Sequence, residues 1–311
     1  MLEKKPFLII GFGNQAKAWA LNLKDSKQEV VIALRKESPS HEKAQILGFK
    51  TVTLQSSDLG HFKFIILLTP DRTHKEILSQ NKSYFCPEGT LVFAHGYSYV
   101  FEHSKEILPE WEHALLCVKT TGENLRDLYL HKKKILGFMA LEENASTQTK
   151  FSIEDLGQKL GITLPLINVS FLEETTANLF AEQALHCSLL PHTALYCYNF
   201  LRQKGISPEL SYLETWSNIK LIADLMMSSG PSGFFNLISD NAFLGSLKGS
   251  EQILDDHFKK NIENLYQNIV SGKFYEEAHH MNTTELRQSI SQQWNKSELN
   301  LIHQKLKGDA L

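Results

Sequence analysis

The chain has 311 residues, enough for two domains with separate cores, and its 42% hydrophobic and 22% charged content is that of an ordinary globular protein. A formal charge of −3 with no basic stripe argues against a nucleic-acid partner. No apolar run approaches the roughly 20 residues that would span a bilayer. The opening MLEKKPFLIIGF lacks the long apolar stretch of a signal peptide, so a cytoplasmic protein is expected. Cys86, Cys117, Cys187 and Cys197 show neither CxxC pairing nor metal-ligand spacing and read as reduced thiols.

In chain order, apolar runs predict strands over 7–10, 29–34, 63–68, 90–94, 114–118, 134–139 and 166–171. Amphipathic stretches between them predict helices over 14–24, 40–47 and 73–80. Strands alternating with helices imply a Rossmann-type, doubly wound parallel sheet, hence an α/β fold. From about residue 173 apolar residues recur at helical spacing, through Leu179, Phe180, Leu185 and Leu189, and again through Leu221, Ile222, Leu225 and Met226. The expected division is therefore a nucleotide-binding domain over 1–171 and an all-α domain over 172–311.

The first predicted strand runs into Gly11, Gly13 and Ala16 at the start of a helix. In a dinucleotide site the first glycine permits the tight turn and the second lets backbone approach a pyrophosphate. The small third residue allows helix and strand to pack closely. Free N–H groups and the positive end of the helix dipole then face the phosphates. At the end of the second strand, where an NAD site carries an acid for the ribose hydroxyl, the chain has Arg35 followed by Ser38 and Ser40. An arginine there suits a 2′-phosphate, and NADP(H) is the expected cofactor. A solvated turn with N-capping serines is the structural alternative. The full expected cofactor set is Gly11, Gly13, Asn14, Gln15, Ala16, Arg35, Ser38, Ser40, Pro70, Asp71 and His95.

In the helical half, Asn178 and Glu182 share one helix face, as do Glu214 and Asn218, because residues four apart are stacked neighbours. Four acids at these places could hold two Mg²⁺ ions; here each pair has one carboxylate and one amide. The His279, His280, Glu276 and Glu277 group reads as a polar helix end.

Read together, GFGNQAKAWALNL, LRKESPSHEKAQILGF, FAHGYS, VKTTGENLR, EETTANLFAEQALHC, SPELSYLETWSNIKLIADLM and LISDNAFLG occur in the order found in ketol-acid reductoisomerases. The chain resembles the short form of that family over about residues 6–270. The resemblance implies an NADPH-dependent oxidoreductase of branched-chain amino acid biosynthesis. Such enzymes use two Mg²⁺ ions in an alkyl migration and then reduce the resulting 2-keto acid. It implies His95 in the FAHG motif, Lys119, Glu182, Glu214 and Ser239 as active-site residues, and a homodimer in which one metal-binding helix comes from the partner subunit. The small-molecule partner is a 2-keto or 2-hydroxy acid.

Two departures bear on mechanism. Asn178 and Asn218 stand where the family has ligating carboxylates, which leaves Glu182 and Glu214 as a weakened metal pair. Mg²⁺ favours hard anionic oxygens, and each lost pairing at about 4 Å is on the order of 4 kcal/mol at an effective dielectric near 20. At most one Mg²⁺ is expected, and the migration step should suffer most. The loop after Lys119 reads VKTTGE in place of PKGPG, with Thr120 where the first glycine stands and an added Glu123. A 2-keto acid reductase with an impaired isomerase step is one reading. A non-catalytic NADPH-binding protein is another. A ketopantoate-type reductase shares the nucleotide fold but leaves the helical motifs unexplained.

Overall fold

The structure is a computed structural model that describes residues 6–310. Its contacts divide the chain into two compact units, Met1–Ala177 and Asn178–Leu311. The first unit is built on an eight-stranded sheet: β1 (Phe7–Ile10), β2 (Val30–Leu34), β3 (Lys50–Thr53), β4 (Phe64–Leu67), β5 (Thr90–Phe93), β6 (Glu112–Val118), β7 (Gly137–Leu141) and β8 (Ile167–Asn168). Their spatial order is β3-β2-β1-β4-β5-β6-β7-β8. The sheet is apolar on both faces because helices cover both. In β1 every residue is buried, Phe7 and Ile9 joining one core cluster and Leu8 and Ile10 the other. Strands buried on two faces read as continuous apolar runs rather than as alternation.

Two features depart from the expected parallel sheet. The edge strand β3, with sequence KTVT, is at most half-buried and offers no apolar run to find. β7 pairs with β6 antiparallel, Gly137 opposite Val118. After helix Gly122–Leu130 the chain re-enters beside the end that β6 has just left, where Lys119 N–H donates to Leu136 C=O. The other neighbouring pairs are parallel.

The sequence change near residue 171 is the start of helix Phe171–Ala181. Its first turns belong to the first unit, where Phe171, Glu174, Thr175 and Thr176 are buried. The second unit is helical throughout its described residues, with helices such as Leu189–Gln203, Asn218–Leu237, Asp256–Val270 and Glu298–Ala310. Tyr198, Tyr212 and Leu299 form its buried centre, flanked by Leu195, Trp216 and Trp294. Two five-residue π-helical segments, Glu182–His186 and Leu213–Ser217, pack against helix Leu189–Gln203. Each contains the carboxylate of one expected metal motif, and π-helical bulges are frequent at functional sites.

Candidate active site

The strand order puts the ends of β1, β4, β5 and β6 side by side along the C-terminal edge of the sheet. Gly11 and Gly13 follow β1, Pro70 and Asp71 follow β4, His95 follows β5 and Lys119 follows β6. Open α/β sheets bind ligands along this edge, where the winding reverses.

Gly11 has φ +104°, and a Cβ there would lie 2.7 Å from Leu68 O, so both conformation and space require glycine. Helix Asn14–Asp25 begins with Gly13 as its N-cap, with no capping side chain and no acid in its first turn. A Cβ on Gly13 would meet nothing within 4 Å, so the approach to the helix end is open. Ala16 is fully buried. Asn14 opens the helix, and the Gln15 amide donates to Thr120 C=O at 2.9 Å, tying the loop after β6 to that of β1. Arg35 is exposed just past the end of β2. Its carbonyl accepts from Ser38 N–H at 3.0 Å, and Ser38 Oγ accepts from Ser40 N–H at 3.3 Å. These bonds shape the turn without engaging the guanidinium. Through its bond to Ser40 N–H, Ser38 caps the start of the next helix, Ser40–Ile46, with Pro39 between them, while Ser40 does not.

His95 and Asp71 approach each other, Nδ1 to Oδ2 3.6 Å. His74, absent from the expected site, lies behind them. It is buried, with Nε2–H donating to Thr69 C=O at 2.9 Å and Nδ1 2.7 Å from Ser98 Oγ. Burial holds its pKa below the ordinary imidazole value, with Asp71 pulling the other way.

Lys119 Nζ donates to Glu174 Oε1 at 2.9 Å, and the Glu174 side chain is only 2% exposed. Burial disfavours the ammonium, but Cys117 and Glu174 outweigh it, and the lysine pKa is raised. Burial, reinforced by Glu174, pushes the Cys117 thiol up to about 12. It is therefore neutral near pH 7, and Glu174 is the group that keeps Lys119 charged. The other oxygen, Glu174 Oε2, is buried without a hydrogen-bond partner. Glu174 was missing from the expected site, although the EETT run places it four residues before Asn178 on the same helix.

In the second unit, Glu182 and Glu214 are exposed and Asn178 and Asn218 half-buried. Asn218 Nδ2–H donates to Glu214 Oε2 at 3.2 Å, so the two side chains of that pair are joined. Ser239 is the N-cap of helix Asp240–Ile253, its Oγ accepting from Ala242 N–H at 3.3 Å, which leaves its O–H able to donate. Glu276, Glu277 and His279 lie in the short helix Lys273–His279, and His280 follows as its C-cap. Among the described residues no cluster of three or more His, Cys, Asp or Glu side chains is placed to hold a metal.

The family model "Acetohydroxy acid isomeroreductase, NADPH-binding domain" matches residues 1–163, and "Ketol-acid reductoisomerase, C-terminal domain" matches 171–309. The chain belongs to the ketol-acid reductoisomerase family. A ketol-acid reductoisomerase (NADP(+)) of Helicobacter pylori is 34% identical over 274 residues, covering 86% of this chain and 81% of that one. A counterpart from Petrotoga mobilis is 32% identical over 278 residues, covering 88% and 83%. In fold, the chain matches an NADH-preferring ketol-acid reductoisomerase from an uncultured archean, with TM-score 0.88 and 23% identity over 98% of this chain and 94% of that one.

As a ketol-acid reductoisomerase-family member the chain carries the family's NADPH-binding domain, in which the first helix end is open and uncapped and Arg35 is exposed just past β2. The family's two Mg²⁺ ions do not fit in the same way. Each of the two expected metal pairs offers one carboxylate and one neutral amide, half the negative charge of four acids. No helix among the described residues is long and apolar enough to cross a membrane.

Proposed function

We propose that this protein is an NADPH-dependent reductase of a small 2-keto acid, derived from ketol-acid reductoisomerase, in which the isomerase step is weak or lost. The observation that carries this reading is an imbalance. The nucleotide end keeps Gly11, Gly13 and an uncapped helix N-terminus, while Asn178 and Asn218 leave each expected metal pair with a single carboxylate. Alkyl migration depends on a cation to polarise the ketone and hold the alkoxide. Reduction asks less of the protein: a bound hydride donor, a proton source and positive charge near the carbonyl oxygen.

Gly11, Gly13 and the N–H groups at Asn14 and Gln15 hold the pyrophosphate. Arg35, with Ser38 and Ser40, holds the 2′-phosphate, and Pro70, Asp71 and His95 line the path toward the nicotinamide. The bound cofactor supplies the hydride. Lys119, kept protonated by Glu174, places a positive charge beside the developing oxyanion, and His95 delivers its proton. In the second unit, Ser239 keeps an O–H able to donate to a carboxylate. Glu182 and Glu214 hold at most one cation, and no step is assigned to it.

The functional unit is a homodimer. Helix Asn218–Leu237 buries none of its residues within the chain, and Leu221, Met226 and Met227 are 55%, 52% and 84% exposed. An apolar stripe of that kind marks an interaction surface, and in the family this region meets a second copy.

The test is NADPH oxidation by the purified protein with hydroxypyruvate, compared with Mg²⁺-dependent conversion of 2-acetolactate. Turnover of the keto acid with little or none of acetolactate is expected, and vigorous acetolactate conversion overturns the reading. Tight NADPH binding without turnover of any small 2-keto acid would favour the non-catalytic alternative. Calorimetric titration of Mg²⁺ with NADPH present should show at most one ion. In the Asn178→Asp, Asn218→Glu double variant, a second ion and acetolactate turnover should return.

A further inference from the structure

Asp71 faces two imidazoles, and the buried hydrogen bonds distinguish them. His74 Nδ1 lies 3.9 Å from Asp71 Oδ1, and His95 Nδ1 lies 3.6 Å from Asp71 Oδ2. His74 has no proton to offer on that nitrogen. Its Nε2–H is committed to the Thr69 carbonyl, which can only accept, so in the neutral ring Nδ1 is a lone pair receiving the Ser98 hydroxyl. Asp71 Oδ1 is accordingly buried without a hydrogen-bond partner. Of the two rings, only His95 can present an N–H to the carboxylate.

We propose that Asp71 is the positioning residue of His95: its carboxylate takes the Nδ1–H, sets the tautomer and turns the Nε2 edge toward the substrate oxygen. The separation of 3.6 Å is longer than a hydrogen bond. Contacts of this kind tighten when an active site fills. The pair forms from loops after adjacent parallel strands, β4 and β5, so its spacing is set by the sheet rather than by either loop. In the reduction, the hydride goes to the carbonyl carbon and the proton on His95 Nε2 goes to the carbonyl oxygen. The ring is left neutral, with Nδ1–H still facing Asp71. The proposal rests on the reading of His95 as the proton donor.

The decisive measurement is a long-range ¹H–¹⁵N spectrum of the full-length protein with labelled histidine and bound NADPH, recorded above neutrality. The His95 resonances are assigned by their loss in His95→Gln. His95 is expected as the Nδ1–H tautomer, reverting to Nε2–H in Asp71→Ala. An Nε2–H tautomer in the unmodified protein, or a tautomer indifferent to Asp71→Ala, overturns the proposal. With hydroxypyruvate as substrate and saturating NADPH, Asp71→Ala should lower kcat on the order of tenfold or more, with part of the rate recovered in Asp71→Glu. An unchanged kcat at saturating NADPH, with or without a raised KM for NADPH, also overturns it. If His95→Gln lowers kcat while Asp71→Ala does not, the proposal fails and the reading of His95 stands. If His95→Gln leaves kcat intact, that reading fails first, and the proposal falls with it.

Discussion

Lys119 shows how one buried carboxylate decides what a lysine can do. Without Glu174, a half-buried ammonium would lose its counter-charge, which in buried pairs costs about 3 kcal/mol or more. Glu174→Gln, close in shape, is therefore expected to lower stability by roughly that amount in urea denaturation, and to reduce kcat on the order of tenfold. The raised pKa of Lys119 fixes the sign of its pH dependence. Its contribution is complete below the unfolded lysine value of about 10.4 and disappears as pH rises through the folded value. His74 acts in the opposite range. Its lowered pKa means that the unfolded chain binds the proton more readily. The stability of the first unit should then fall as pH drops below about 6.5. Urea midpoints measured against pH should show a shallower acid slope in His74→Gln than in the unmodified protein.

At the level of elements, helix Phe171–Ala181 carries Glu174 and Asn178 on one face, and the following π-helical segment begins at Glu182. Its start is fastened to the sheet edge in two ways: the Lys119–Glu174 pair and a close approach at Gly96. A Cβ on Gly96 would collide with Thr175 Oγ1 and lie 3.3 Å from Phe171 O. Phe171 also packs edge-on against Phe93 and stacks on Tyr99. Gly96→Ala should therefore push this helix outward, lowering stability by about 2 kcal/mol and reducing activity, as thermal melting and kcat would register. The helix itself was legible from its 3.6-residue pattern. Its fastening was not, because nothing local in FAHG or EETT says that Gly96 and Thr175 meet.

For the whole molecule, the second unit has a small core and many exposed apolar side chains. Replacing Leu221 and Met227, which are 55% and 84% exposed, with Asp should convert a dimer to monomer in light scattering. A protein that is already monomeric would contradict this.

The nucleotide end could be read from the chain alone because it is local: a strand, a turn and a helix start lie within about ten residues, and glycine and alanine are forced by backbone geometry. The antiparallel β7 and the polar edge strand β3 carried no such local mark, since both are defined by what lies beside them. His74 and Glu174 likewise looked ordinary in sequence. Only the tertiary structure decided that one buried imidazole gives its proton to Thr69, leaving Asp71 to His95. It alone decided, too, that the charge on Lys119 is sustained by a carboxylate 55 residues away. Those choices depend on which groups are shut away from water together, and neither spacing nor composition encodes that.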